Sequence, residues 1–164
     1  MGIIISVLSF FFLLIIGCAG NNSETPQLNI RSQEGPEASP EFYRFYDLFE
    51  SAVSEWWNKE GRQVTKGQWK IYVSEIPGSH PPFTDFNVQV QGFILMDKKL
   101  KKASLEFTIF RKDEFQWIDF FATANLAATQ TRKFIMGELS LEKFQKAALE
   151  TKSAFLFLIK HFLE

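Results

Sequence analysis

Hydrophobic positions recur with changing periods along this chain, and each period marks a different kind of element. Phe42, Phe45, Phe49, Ala52, Val53 and Trp56 recur at three- and four-residue steps, the spacing of one helical face. Ser39-Pro40-Glu41 supplies a capping hydroxyl, a proline at the first helical position and an acid at the positive helix end. Lys59 falls in the last turn, and Gly61 offers a left-handed stop. From Gln68 the period drops to two. Trp69, Ile71 and Val73 alternate with Lys70, Tyr72 and Ser74; Phe86, Val88 and Val90 alternate with Asn87, Gln89 and Gln91; Leu105, Phe107 and Ile109 alternate with Ser104, Glu106 and Thr108. The polar set leaves one side of this sheet partly wet. Proline-rich residues 76–82 interrupt the strands, and a lysine-rich turn over 97–102 and a polar link over 111–114 are short connections that favour antiparallel neighbours. Residues 115–123 read as a further strand, and 124–137 as a short helix. Leu141, Phe144, Ala148, Phe155, Leu158, Ile159 and Phe162 then form a second helical stripe behind Ser140. A helix of about 24 residues there would be about 36 Å long, enough to cross the sheet. The pattern predicts an α+β fold: an antiparallel β-meander of about four strands, packed against an N-terminal and a long C-terminal amphipathic helix.

Residues 1–17 contain no ionisable side chain, and thirteen of the seventeen are apolar. The run is shorter than the roughly 20 residues that cross a hydrocarbon core of about 30 Å. It closes in Ile15-Ile16-Gly17-Cys18, and there it resembles the signal peptide of bacterial lipoproteins, whose lipobox places aliphatic and small residues before a cysteine. The small Gly17 leaves room for a peptidase, and only a thiol gives the thioether that carries diacylglycerol. The resemblance implies cleavage between Gly17 and Cys18, acylation of Cys18 with palmitate-like chains, and residence in the cell envelope. Ala19, standing where an aspartate would retain the protein at the inner membrane, points to the outer membrane. Residues 19–40 carry no aromatic side chain and are rich in Gly, Pro, Ser, Asn and Glu, the composition of a flexible tether of about 25 Å. The expected organisation is a signal peptide over 1–17, a lipidated N-terminus and tether over 18–40, and one globular α+β domain over 41–164.

Charge and composition narrow the function classes. Of 164 residues, 18 are Lys or Arg and 19 are Asp or Glu, a net charge of −1. That balance argues against nucleic acid as a partner, since phosphate binding requires a basic surplus. A single cysteine excludes an intramolecular disulfide and every multi-cysteine metal site. Twenty-three aromatic residues lie within 41–164, sixteen of them Phe. They either fill a core or line an apolar cavity, and periodicity does not separate the two.

Chemistry-bearing patterns are sparse. His80 and His161 are 81 positions apart and accompany no metal-binding or phosphate-binding motif, so neither a catalytic residue, a metal nor a cofactor is expected. Asp119, set in an otherwise apolar segment, needs a hydrogen-bond partner if buried. Lys98, Lys99, Lys101 and Lys102 make either a solvated turn or a patch attracted to anionic headgroups. Neighbouring helical residues point about 100° apart, so Trp56 lies on the apolar stripe and Trp57 beside it, half-exposed. Trp56, Trp57, Phe155 and Phe162 are the candidate contacts for a partner or ligand. The expected function is a membrane-anchored lipoprotein that binds a protein or surface partner without catalysis. A carrier of lipid or another hydrophobic ligand is the alternative, and an enzyme is the weakest reading.

Overall fold

The computed structural model describes residues 25–96, 99–150 and 154–163. Five strands form one sheet in the order β1-β2-β3-β4-β5: Gln27–Ser32, Gln68–Ile76, Asp85–Met96, Lys99–Arg111 and Ala154–Leu163. Helix α1 spans Pro40–Trp56 and runs through a π-helical turn, Trp57–Gly61, into the short α2, Arg62–Val64. Helices α3, Trp117–Ile135, and α4, Leu141–Glu150, lie between β4 and β5.

The α+β class and the central antiparallel meander hold. In β2 to β4, Val73 opposes Val88 and Val88 opposes Phe107, so the period-two apolar residues share one face. Phe42, Phe45, Phe49, Val53, Trp69, Phe86, Phe107 and Phe120 are buried between that face and helices α1 and α3. Phe144 of α4 meets Phe107 edge-on, with centroids 5.8 Å apart. These aromatics fill a core. On the opposite face Thr108 Oγ1 donates to Asn87 Oδ1 (3.1 Å), and Glu106 Oε1 accepts from Asn87 (3.1 Å) and Gln89 (3.0 Å). Side-chain bonds therefore satisfy Asn87, Gln89, Glu106 and Thr108, of which Asn87 and Thr108 are buried, while the Ser104 hydroxyl has no partner.

The expectation of a purely antiparallel sheet with a tether reaching residue 40 is corrected at β1. Leu28 and Ile30, two residues apart, place their side chains against the core, and the strand pairs with β2 in parallel. Parallel neighbours need a crossover, and α1 supplies it, making a β–α–β unit. Ser39 caps α1, accepting from the Phe42 N–H at 3.1 Å. Both its N–H (3.0 Å) and its hydroxyl donate to the Glu75 carboxylate on β2.

Three further expectations are corrected. Residues 117–123 begin a 19-residue helix instead of a strand: the Gln116 N–H donates to Asp119 Oδ2 (2.8 Å), and the alanine-rich run behind it favours helix. Gly61 does not stop α1; it is right-handed (φ −54°), and a left-handed glycine comes only at Gly67 (φ 84°), immediately before β2, and again at Gly137 (φ 73°) after α3. The long C-terminal helix is instead α4 followed by β5. The run 154–163 is apolar at helical and at strand spacing alike, and pairing it with β4 covers residues 103–111 of what would be an exposed thirteen-residue edge.

Candidate functional site

Cys18 and Gly17, the lipidation and cleavage residues of the expected signal, lie outside the described residues. Trp56 and Trp57 are brought together and buried, at 4% and 5% exposure, with centroids 6.0 Å apart. Trp57 keeps α-helical geometry, its N–H bonded to the Val53 carbonyl, and the π-helical turn follows from it to Gly61. Gly61 completes the packing, because a Cβ there would come within 3.0 Å of both indoles. The expectation of a half-exposed Trp57 is therefore corrected. Phe155 and Phe162 sit on β5, in register with Phe110 and Ser104, instead of on a helical stripe. His161 is also on β5, opposite Leu105, and His80 is exposed in the β2–β3 loop.

That loop holds the arrangement closest to a nucleophilic triad. Ser79 Oγ lies 3.1 Å from His80 Nδ1 and 3.0 Å from Asp85 Oδ2. The hydroxyl stands between imidazole and carboxylate, whereas an activated serine needs the imidazole in the middle. Asp85 is occupied structurally: it also accepts from the Ser79 N–H and, at 2.9 Å, from the Arg111 N–H.

Arg111 closes β4 at the same end of the sheet. It is 3% exposed, and its guanidinium carbon lies 5.0–5.9 Å from the ring centroids of Phe83, Phe86, Phe115 and Phe120. Its Nε has no hydrogen-bond partner. Burial pulls its pKa below the usual guanidinium value, against the opposing charges of Glu41, Glu75, Asp85 and Glu114. Burial alone would raise Glu75, but hydrogen bonds from Ser39 and Thr84 and the Arg111 charge hold its carboxyl below the usual range. Sequence periodicity gave no sign of this cage, since Arg111 read as part of a polar link.

Two surfaces remain. A groove of about 550 Å³ separates β1 from the outer flank of α1 and is lined by Leu28, Ile30, Glu50, Ser54, Trp57 and Arg62. Gln27 and Gln33 donate their N–H groups to Gly67 and Val73 beside β2, so by alternation Leu28 and Ile30 turn their backbone groups toward the open edge. The Ser32 amide on that edge reaches the Tyr46 hydroxyl, whose pKa is raised by burial and by Glu50. The second surface lies on the first turns of α3. Trp117, Ile118 and Phe121 are 60%, 66% and 48% exposed there and stand at helical spacing.

Among the described residues no group of three His, Cys, Asp or Glu side chains converges on a metal-sized site, and no helix is long and apolar enough to cross a membrane. No family model matches the chain, and neither does a curated protein or a solved structure.

Proposed function

We propose that the protein is an envelope lipoprotein, anchored through acylated Cys18, whose α+β domain is a non-catalytic module that binds a protein partner. The lipobox-like Ile15-Ile16-Gly17-Cys18 supports the anchor. The observation that carries the binding role is the exposed Trp117–Ile118–Phe121 patch. An exposed tryptophan beside two large apolar side chains is costly in water and typical of interface hot spots. It stands where the expected Trp57 contact does not, because Trp57 belongs to the core.

Two experiments test the reading. Cys18→Ala is expected to abolish incorporation of a fatty-acid probe and to leave the precursor uncleaved; unchanged labelling and size overturn the anchor. A photo-crosslinking amino acid at position 117 or 121 is expected to give one discrete adduct in intact envelopes, while the same group at exposed Gln63 gives none. Equal adducts at all three positions would overturn the binding face.

A further inference from the structure

We infer that the lysine-rich end of the sheet is a membrane-facing surface that rests on anionic phospholipid headgroups, an inference that builds on the acylated Cys18 proposed above. The strand directions establish which groups share that end. In register across the sheet, Gln27 pairs with Gln68, Gln68 with Phe93, and Phe93 with Lys102. The start of β1, the start of β2 and the β3–β4 hairpin therefore lie together. Lys99, Lys101 and Lys102 sit on that hairpin, Lys70 near the start of β2, Lys66 just before it, and Arg62 in the groove beside Thr25 and Gln27. All are exposed apart from the half-buried Lys101. Lys59 is paired with Glu55 (2.5 Å). Glu60 and Glu138 also lie toward this end, beside Arg132 and Lys133 of the last turn of α3.

The opposite end carries the other sign. Glu34, Glu37 and Glu41 lie between β1 and the first turn of α1, Glu75 and Asp85 flank the β2–β3 loop, and Glu114 follows β4. Of the cations there, Arg111 is enclosed by phenylalanine rings, Lys112 is exposed beside Asp113 and Glu114, and Arg31 and Arg44 lie on β1 and α1, so the acids stay in excess. A net charge of −1 thus conceals a dipole along the strands.

Tether length makes this polarity consequential. With Gln27 fixed in β1, only eight residues separate it from Cys18, and the nine steps between them span at most about 30 Å. Even that maximum is shorter than β4, whose thirteen residues extend about 43 Å. The leash leaves the sheet at its basic end, so that end is held within reach of the bilayer. Attraction of the lysines to anionic lipid, and repulsion of the acidic end, then favour an upright domain over one lying flat. In that pose the Trp117–Ile118–Phe121 patch, at the start of α3, points away from the membrane.

The test uses the mature chain in vesicles of phosphatidylcholine with or without phosphatidylglycerol. Acylation consumes the native thiol, so Gln68→Cys and Glu114→Cys each accept one fluorophore, read by quenching from a headgroup nitroxide. Strong quenching at position 68 and little at 114 is expected with phosphatidylglycerol. The difference should disappear in salt near 1 M, where the Debye length falls to about 3 Å. Lys99→Glu with Lys102→Glu should remove it as well, and both sites are exposed, so the fold survives. Equal quenching at both positions, or quenching at 68 indifferent to lipid charge and salt, overturns the inference. Mass spectrometry of the same sample reads the anchor separately. Should Cys18 carry no acyl chain, the proposed anchor fails, and co-flotation of the chain with phosphatidylglycerol vesicles decides the surface. Charge reversal is then expected to weaken binding about 30-fold, and absence of flotation overturns it.

Discussion

At the scale of single residues, buried geometry assigns roles that residue type alone does not. Gly92 lies directly opposite Trp69, and a Cβ there would enter the indole ring. Trp69 is buried, with Phe134 edge-on at 5.8 Å, so the ring has nowhere to move. Gly92→Ala is expected to destabilise the domain by about 1–3 kcal/mol, read from urea midpoints. Glu75 joins the cap of α1 to β2 and to the β2–β3 loop through Ser39 and Thr84. Its folded pKa is depressed, so its contribution is complete above the unfolded value of 4.5 and is lost as pH falls through the lower folded value. Glu75→Gln should therefore cost stability at neutral pH, with the difference from wild type closing as the pH falls below 4.5. A constant difference across that range would refute the assignment. Arg111 acts through packing as well as charge: Arg111→Ala is expected to cost about 2–4 kcal/mol and Arg111→Met clearly less, because Met still fills the phenylalanine cage.

At the scale of elements, legibility followed the number of independent signals. Helix α1 had a periodic stripe and a cap, and both stand in the structure. The meander was legible because alternation and short polar links agreed. Residues 115–123 were misread because alternation over a few residues also fits the start of a helix. The capping pair Gln116 and Asp119 and the alanines behind them were the signal that separates the two. β1 was hidden by composition: two apolar residues in a polar segment are too few to suggest a strand, yet an existing sheet edge suffices to order them. A contrast of prolines tests this element. Asn29, turned toward β2, loses a ladder hydrogen bond when replaced, whereas Ile30 turns its N–H to the open edge. Asn29→Pro is expected to cost about 1–3 kcal/mol more than Ile30→Pro, and to abolish hydrogen-exchange protection in Gln27–Ser32.

At the scale of the whole molecule, β1 changes the relation between anchor and body. Under the proposed anchor, a tether ending at residue 40 would let the domain tumble, whereas one ending at Gln27 would keep a particular end of the sheet near the bilayer. Trp117→Ala, at the far end, should leave the urea midpoint within about 0.5 kcal/mol of wild type while weakening the crosslinked adduct. A large loss of stability would place Trp117 in the fold and not at an interface.

The linear pattern by itself determined the α+β class, helix α1 and the three-strand meander, because each follows from spacing within a short window. Only the folded chain decided the parallel β1, the strand at 154–163, the burial of Trp57, the Arg111 cage and the exposed patch on α3. Those depend on which edges and faces were left to cover once the local elements had formed. Sheet pairing and core burial join residues far apart in sequence, and no local period records them.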